Sequence, residues 1–491
     1  MDTIISIKPL LAVLASALAV VPIICFRRIP DVREGVTFLA GGLKLLLVVS
    51  MVPLVLDGTS IEFVLVPLAA GLDISFRVDA LGMLFALVAS SLWIATSAYS
   101  IGYMRSLKEH SQTRYYCFFA LALSSTIGVA FAANLLTLYI FYEILSLSTY
   151  PLVTHHQDGE ARLSGRKYLT FILGTSIGFV LPAMLICYSQ AGTLDFASGG
   201  FLAGAGFSKT TLTVLLLLFV FGFAKAGLMP FHAWLPAAMV APTPVSALLH
   251  AVAVVKVGVF SILRVVTGVF GVDFLDSVDL GTVLCWIAAF TVIVSSLIAL
   301  SQDGLKRRLA FSTIGQLSYI VLGAALLSPK GLTGGMMHVA MHAFGKITLF
   351  FCAGAIFVAT GKKNISDKVG IGRRMPLTMI AFFIGALSVI GLPPCGGFIS
   401  KWYLVLGTLE ADQIPMLFVL LGSSLLNAAY FLPIVYKAFF CTENEAQFDG
   451  KVDEAPLFAL APPLITAAVS IALFFYPEPF FELASLAVRG L

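Results

Sequence analysis

Apolar stretches long enough to cross a bilayer recur along nearly the whole of this chain. A helix needs about 18 or more consecutive apolar residues to span the hydrocarbon layer, and many of these runs exceed that length. Lipid offers no partner for a free backbone N–H or C=O, so such runs must satisfy their hydrogen bonds internally. Composition agrees, since 59% of the 491 residues are apolar and 11% charged, where a soluble domain carries about a quarter charged. The chain is therefore read as an all-α polytopic membrane protein embedded in a lipid bilayer. Its net charge of +4 comes from scattered loop lysines and arginines, and no basic cluster suits nucleic acid. The seven cysteines (25, 117, 187, 285, 352, 395, 441) show no CxxC or other ligand spacing, which argues against a disulfide framework or an iron–sulfur site.

The runs predict about fourteen transmembrane helices, near 9–26, 36–56, 79–103, 115–132, 134–153, 167–190, 211–235, 243–268, 281–301, 307–327, 333–359, 376–408, 413–440 and 456–476. Loops are short, and the longest polar stretch is 442–454. The run at 10–25 is not a signal peptide on this reading, because Arg27 and Arg28 follow it instead of preceding it. Lysine and arginine crowd the loops after odd-numbered spans, 19 against 6 in the intervening loops. That bias places both termini on the non-cytoplasmic side of a prokaryotic plasma (inner) membrane.

Two spans are interrupted. FGFAKAGLMPFHAWLP carries Pro230 and Pro236, and SVIGLPPCGGFISKWYLVL carries Pro393, Pro394, Gly396 and Gly397. Proline removes a backbone donor and clashes with the preceding turn, so both helices should break. Such breaks survive at membrane depth only where they are buried or line a cavity. They lie five spans apart, each with a lysine nearby. The predicted organisation is thus three leading helices (1–110), two inverted five-helix repeats (111–270 and 271–441), and a loop with a final helix (442–491), with an ion route at the repeat interface.

Five ionisable residues sit deep in apolar runs: Glu143, Lys225, Lys256, Lys346 and Lys401. A charge at the bilayer centre costs about 2.5–3.5 kcal/mol on insertion scales, so these groups should face a polar interior. Lys225 and Lys256 lie roughly 15–18 Å from the ends of their runs, too far to snorkel. Lys401, beside a break, has polar surroundings closer at hand. Tyr139, Glu143, Ser146 and Tyr150 share one helix face. Glu143 is either a structurally paired carboxylate or the partner that keeps Lys225 charged.

His338, His342 and Lys346, each four residues apart, form one polar stripe. No acid nearby completes a zinc site with the histidines, so no metal is expected there. Imidazole donates and accepts protons near neutral pH, which makes the stripe a candidate proton relay. His232 and His250 either extend it or are structural. Ser312, Gln316 and Tyr319 form an uncharged polar face on the tenth span. The glycine-rich stretch near residue 200 and ATGKKN at 359–364 lack phosphate-loop spacing, and no enzymatic motif is found.

Taken together, the Glu143 span, AKAGLMPFHAWLPAAMVAPTPVSALLHAVAVVKVG, LKRRLAFSTIGQLSYI, HVAMHAFGKITLFF and GLPPCGGFISKW resemble the antiporter-type subunit family shared by Mrp cation/proton antiporters, respiratory complex I and membrane-bound hydrogenases. The resemblance covers nearly the whole chain. It implies that Glu143 and Lys225 are a modulating acid–base pair and Lys256 a central relay lysine. His338, His342 and Lys346 match a connecting polar axis, and Lys401 an outward half-channel position filled by lysine or glutamate. An Mrp D-type subunit fits best. GGFISKW departs from the GKF-like form of many such subunits, so a complex I-like NADH-quinone oxidoreductase or hydrogenase subunit stays open. The implied cargo is protons, with Na+ as a second candidate, and the implied partners are other membrane subunits. No cofactor is expected in this chain, so energy must arrive from partners or a cation gradient. A stand-alone secondary transporter, and a scaffold that has lost transport, are the alternatives of other classes.

Overall fold

The computed structural model describes residues 3–69, 71–441 and 452–491. Most of the expected polar loop at 442–454, with Lys451, lies outside them. Among the described residues, ten helices are long and apolar enough to cross a membrane, from Lys8–Cys25 to Leu457–Phe475. Helices also stand at the other four expected positions. Two are Gln112–Ala130 and Leu305–Ala325, and two are the interrupted stretches at 209–237 and 376–410. A further amphipathic helix, Glu478–Arg489, follows the last span and packs on the Ala80–Ser106 and Pro329–Thr360 helices.

One element departs from the wholly helical expectation. Strand β1 (Thr3–Ile5) pairs in parallel with β2 (Ser60–Ala69), which pairs antiparallel with β3 (Leu72–Val78). The sequence SIEFVLVPLA is β-branched and apolar but far too short to span a bilayer, so it takes the extended form. Arg77, a loop charge by its place in the sequence, pairs across the sheet with Glu62 at 2.5 Å.

The centre of the molecule is the Thr243–Phe270 span, buried along its length. Around it lies the 32-residue helix Pro329–Thr360, buried without interruption from Gly331 to Ile356. That helix packs against Leu305–Ala325, Pro376–Ile390, Gly396–Glu410 and Leu457–Phe475. The outer helices instead expose large apolar side chains, such as Trp286, Phe290 and Leu297, or Leu421 and Leu425. This is the pattern of a surface that meets lipid tails. Arg264 is not a loop charge either. It is buried near the end of the central span and grips Asp79 through two hydrogen bonds of 2.5 and 2.6 Å. Asp79 also caps the Ala80–Ser106 helix through the Gly82 N–H, so one carboxylate fixes two spans.

Both predicted breaks are present. The second falls where the prolines place it, with a helix ending at Ile390, Gly391 at φ +89° and a new helix from Gly396. The first begins earlier than Pro230. The helix stops at Gly222, and Ala224–Ala226 form a single 3-10 turn, closed by Gly227 at φ +73°. Pro230 is the signal in the sequence, but Lys225 itself lies in the unwound turn. The central span approaches this turn so closely that a Cβ at Gly258 would overlap the Lys225 carbonyl carbon and the Ala226 nitrogen. Only glycine fits there, two residues from Lys256. Gly258→Ala is expected to cost about 1–3 kcal/mol through overpacking, read as a lower melting temperature of the detergent-purified protein. An unchanged melting temperature would mean that the turn yields freely.

Candidate functional site

The unwound turn leaves Lys225 fully buried with its backbone turned from regular helix pairing. Its Nζ donates to the Tyr142 carbonyl at 2.7 Å and to the Ser146 hydroxyl at 2.6 Å, and lies 3.1 Å from the Tyr142 ring centroid. The expected Glu143 partner is not in contact. Both Glu143 carboxylate oxygens are buried without a hydrogen bond, and no ion pair among the described residues includes it. The reason is helix phase: Tyr142 and Ser146, four residues apart, present the acceptors that the lysine reaches, and Glu143 stands one position round.

Lys256, also fully buried, shares a 2.8 Å hydrogen bond with His342 Nδ1. It follows a wide π-helical turn, Leu248–Val252, that breaks the regular ladder just ahead of it. The His342 and His338 rings stack with centroids 5.7 Å apart, 19° from parallel. His338 then links two elements, bonding Gln316 Oε1 at 3.1 Å through Nε2 and Ser400 Oγ at 2.9 Å through Nδ1. Ser400 precedes Lys401, whose Nζ donates to the Val389 and Ile390 carbonyls at 2.9 Å each and to Ser424 at 3.3 Å. These carbonyls are orphans of the broken helix end, which supplies the negative pole that an ammonium needs. Gly391 keeps the approach open, since a Cβ there would meet the Lys401 side chain.

Lys346 does not continue this chain. It donates to Ser312 at 2.8 Å, and Ser312 also accepts from Tyr430 at 2.9 Å. The stripe of His338, His342 and Lys346 is real, but its members divide. The two histidines join Lys256 to Ser400, and Lys346 forms a side branch. His250 is buried against the Phe350 ring, centroids 4.9 Å apart, with neither nitrogen hydrogen-bonded. His232 lies apart from these residues, on the wall of an open cleft of about 880 Å³. The cleft is also lined by Glu109, His156, Lys167, Lys306 and Lys362, from the lysine- and arginine-rich loops. At its rim the buried His155 imidazole is pushed down to about 4, by burial first and then by His110, Arg114 and His156.

Several participants give no signal in the sequence. Tyr142, Ser400, Ser424 and the carbonyls of 389 and 390 carry no charge and are silent in an apolar run. Lys44 stands outside the five deep ionisable residues singled out above; it is fully buried, bonded to Ser16 and 4.8 Å from the Trp93 ring. Its signal, a lone lysine in LAGGLKLLLVV, is the same as that of the other four.

A family model described as NADH:quinone oxidoreductase/Mrp antiporter, transmembrane, matches residues 132–427. The N subunit of NADH-quinone oxidoreductase from Desulforudis audaxviator is 36% identical over 77% of this chain and 73% of its own length. The Na(+)/H(+) antiporter A subunit of Alkalihalophilus pseudofirmus and hydrogenase-4 component B of Escherichia coli are each 31% identical, over 83% and 82% of this chain. The chain spans only 53% and 62% of those two relatives. The fold superposes on a chain of the Mrp complex from Dietzia sp. DQ12-45-1b with a TM-score of 0.86 and 23% identity, covering 99% of this chain and 98% of that one. A chain of the membrane-bound sulfane sulfur reductase, an archaeal respiratory membrane complex, matches with the same TM-score and coverage at 25% identity.

Removing the Ser312 hydroxyl leaves the buried Lys346 amine without its acceptor, whereas the Tyr430 hydroxyl keeps Asn427 Oδ1. Ser312→Ala is expected to cost about 1–3 kcal/mol for the orphaned amine, read as a fall in melting temperature that Ser312→Thr largely restores. Equal melting of the alanine and wild-type proteins would show that Lys346 has another acceptor.

Proposed function

This chain belongs to the NADH:quinone oxidoreductase/Mrp antiporter membrane family, and we propose that it is a proton-translocating, antiporter-like subunit of a multisubunit membrane complex. The observation that carries this reading is the succession Lys256–His342–His338–Ser400, ending beside Lys401. Every member is buried and every member is able to give and take a proton or to orient one that does.

A proton enters from the lysine- and arginine-rich face, taken as cytoplasmic, by way of the cleft and reaches the Lys225 region. It is held on Lys256, passes to His342 and His338, and moves along the Ser400 and Gln316 contacts toward Lys401. Lys346, with Ser312 and Tyr430, stands beside the route as a side branch. Glu143 and Lys225 form the switch. In the arrangement described here Lys225 rests on Tyr142 and Ser146, which is the open form of the pair. When Lys225 swings to Glu143, its charge moves relative to Lys256. Coulomb coupling at an effective dielectric near 20 is about 2–4 kcal/mol for groups roughly 4–8 Å apart. That changes occupancy of the relay site by about thirty- to a thousandfold.

The two halves, 111–270 and 271–441, each contribute one broken helix with an embedded amine, which supports reading them as inverted repeats around the route. The chain carries no cofactor on this reading, and its energy comes from partner subunits or an ion gradient. The ordered motifs AKAGLMPFHAWLP, HVAMHAFGKITLFF and GLPPCGGFISKW support a D-type Mrp reading, with Na+ as a second candidate cargo. The 36% identity to an N subunit of NADH-quinone oxidoreductase favours a second reading, a proton-pumping subunit of a redox complex. The subunits that copurify with the chain distinguish the two.

Lys256→Ala is expected to leave the complex assembled but to abolish proton movement in vesicles. Normal acidification by the assembled variant would refute the relay.

A further inference from the structure

The Gln112–Ala130 and Leu135–Val153 helices are joined by four residues and pack antiparallel, which sets their far ends side by side. The loop before the first holds Glu109 and His110, and the loop after the second holds His155 and His156. Both loops are sharply turned, with Lys108, Ser111 and Gln157 at positive φ. The result is that one carboxylate oxygen, Glu109 Oε2, has three imidazole nitrogens around it. His155 Nε2 and His156 Nδ1 are 3.7 Å away, and His110 Nδ1 is 3.9 Å away. None of these is a hydrogen-bonding distance.

We propose that Glu109, His110 and His156 form a site for one transition-metal dication of the zinc class at the rim of the cleft. Their ligand atoms all lie within 4.8 Å of one another. Zinc with nitrogen and carboxylate ligands at about 2.0–2.2 Å sets neighbouring ligand atoms roughly 3.3–3.5 Å apart in a tetrahedron. Side-chain rotations that move the ligand atoms by about an ångström close that gap. The second, independent sign is His155. It is fully buried, its ring nitrogens make no hydrogen bond, and Nε2 is directed at the same carboxylate oxygen. It supplies a further ligand or orients Glu109. The Arg114 guanidinium is held by the His155 carbonyl at 2.8 Å. Two imidazoles and a carboxylate suit Zn2+, Co2+ or Ni2+, whereas Ca2+ and Mg2+ take all-oxygen sites. Three protein ligands leave a fourth position for water on the open side of the cleft.

Zn2+ itself is the probe, applied to the chain in its native complex and counted by equilibrium dialysis. Wild type is expected to bind one more Zn2+ per chain than the His110→Ala/His156→Ala double variant, and excess Ca2+ should not displace it. The isosteric Glu109→Gln should weaken that Zn2+ by at least about tenfold. Equal zinc counts in wild type and both variants, or displacement by Ca2+, would overturn the site. Because the readout is bound metal, it is independent of whether the chain moves protons.

Discussion

The contact on which the rest depends is the one between the Lys256 amine and the His342 imidazole, in the middle of the most deeply buried span. An ammonium placed at bilayer depth carries a cost of a few kcal/mol that something must offset. The four deep amines of the relay region are provided for in different ways. Lys225 has a carbonyl, a hydroxyl and the Tyr142 ring; Lys401 has two carbonyls, a hydroxyl and the Tyr319 ring; Lys346 has one hydroxyl and the Phe431 ring. Lys256 alone rests on a group that can itself carry a proton. That difference sets Lys256 apart from the three anchored amines around it.

Helix breaks make the arrangement possible. A regular helix already engages each interior carbonyl in its own ladder, whereas the carbonyls at a helix end are free of it. By ending at Ile390 and restarting at Gly396, the chain frees two carbonyls that take up the Lys401 amine. By unwinding at Ala224–Ala226, it brings Lys225 against the Tyr142 backbone, and Gly258 lets the central span come close enough to seat Lys256 nearby. The bidentate Asp79–Arg264 clip holds that span at its other end. Irregular backbone thus stands beside Lys225, Lys256 and Lys401.

Much of this is legible in the residues. Apolar run length locates helices at all fourteen expected positions, because the bilayer sets one dominant length scale. Deep charges mark the candidate site because their cost is large and few roles justify it. What fails to show has a common cause. Helix-face spacing says which side chains share a side, not which neighbour they meet, so Lys346 falls in line with the histidines although its stretch of helix faces Ser312 and Tyr430. Glu143 and Lys225 look complementary in sequence, yet the lysine finds closer acceptors one step round the helix. Arg77 and Arg264 look like loop charges because their partners, Glu62 and Asp79, are 15 and 185 residues away. The short sheet is hidden among apolar runs that period and length assign to helix. The carboxylate–histidine cluster exists only once two loops are brought together.

Proton flux through the reconstituted complex, compared between His342→Ala and Lys346→Ala, tests the central claim most directly. If the route runs from Lys256 through the stacked histidines to Ser400, the His342 variant loses transfer altogether and the Lys346 variant keeps a measurable share of it. Flux that survives loss of His342 but vanishes with Lys346 would contradict the route.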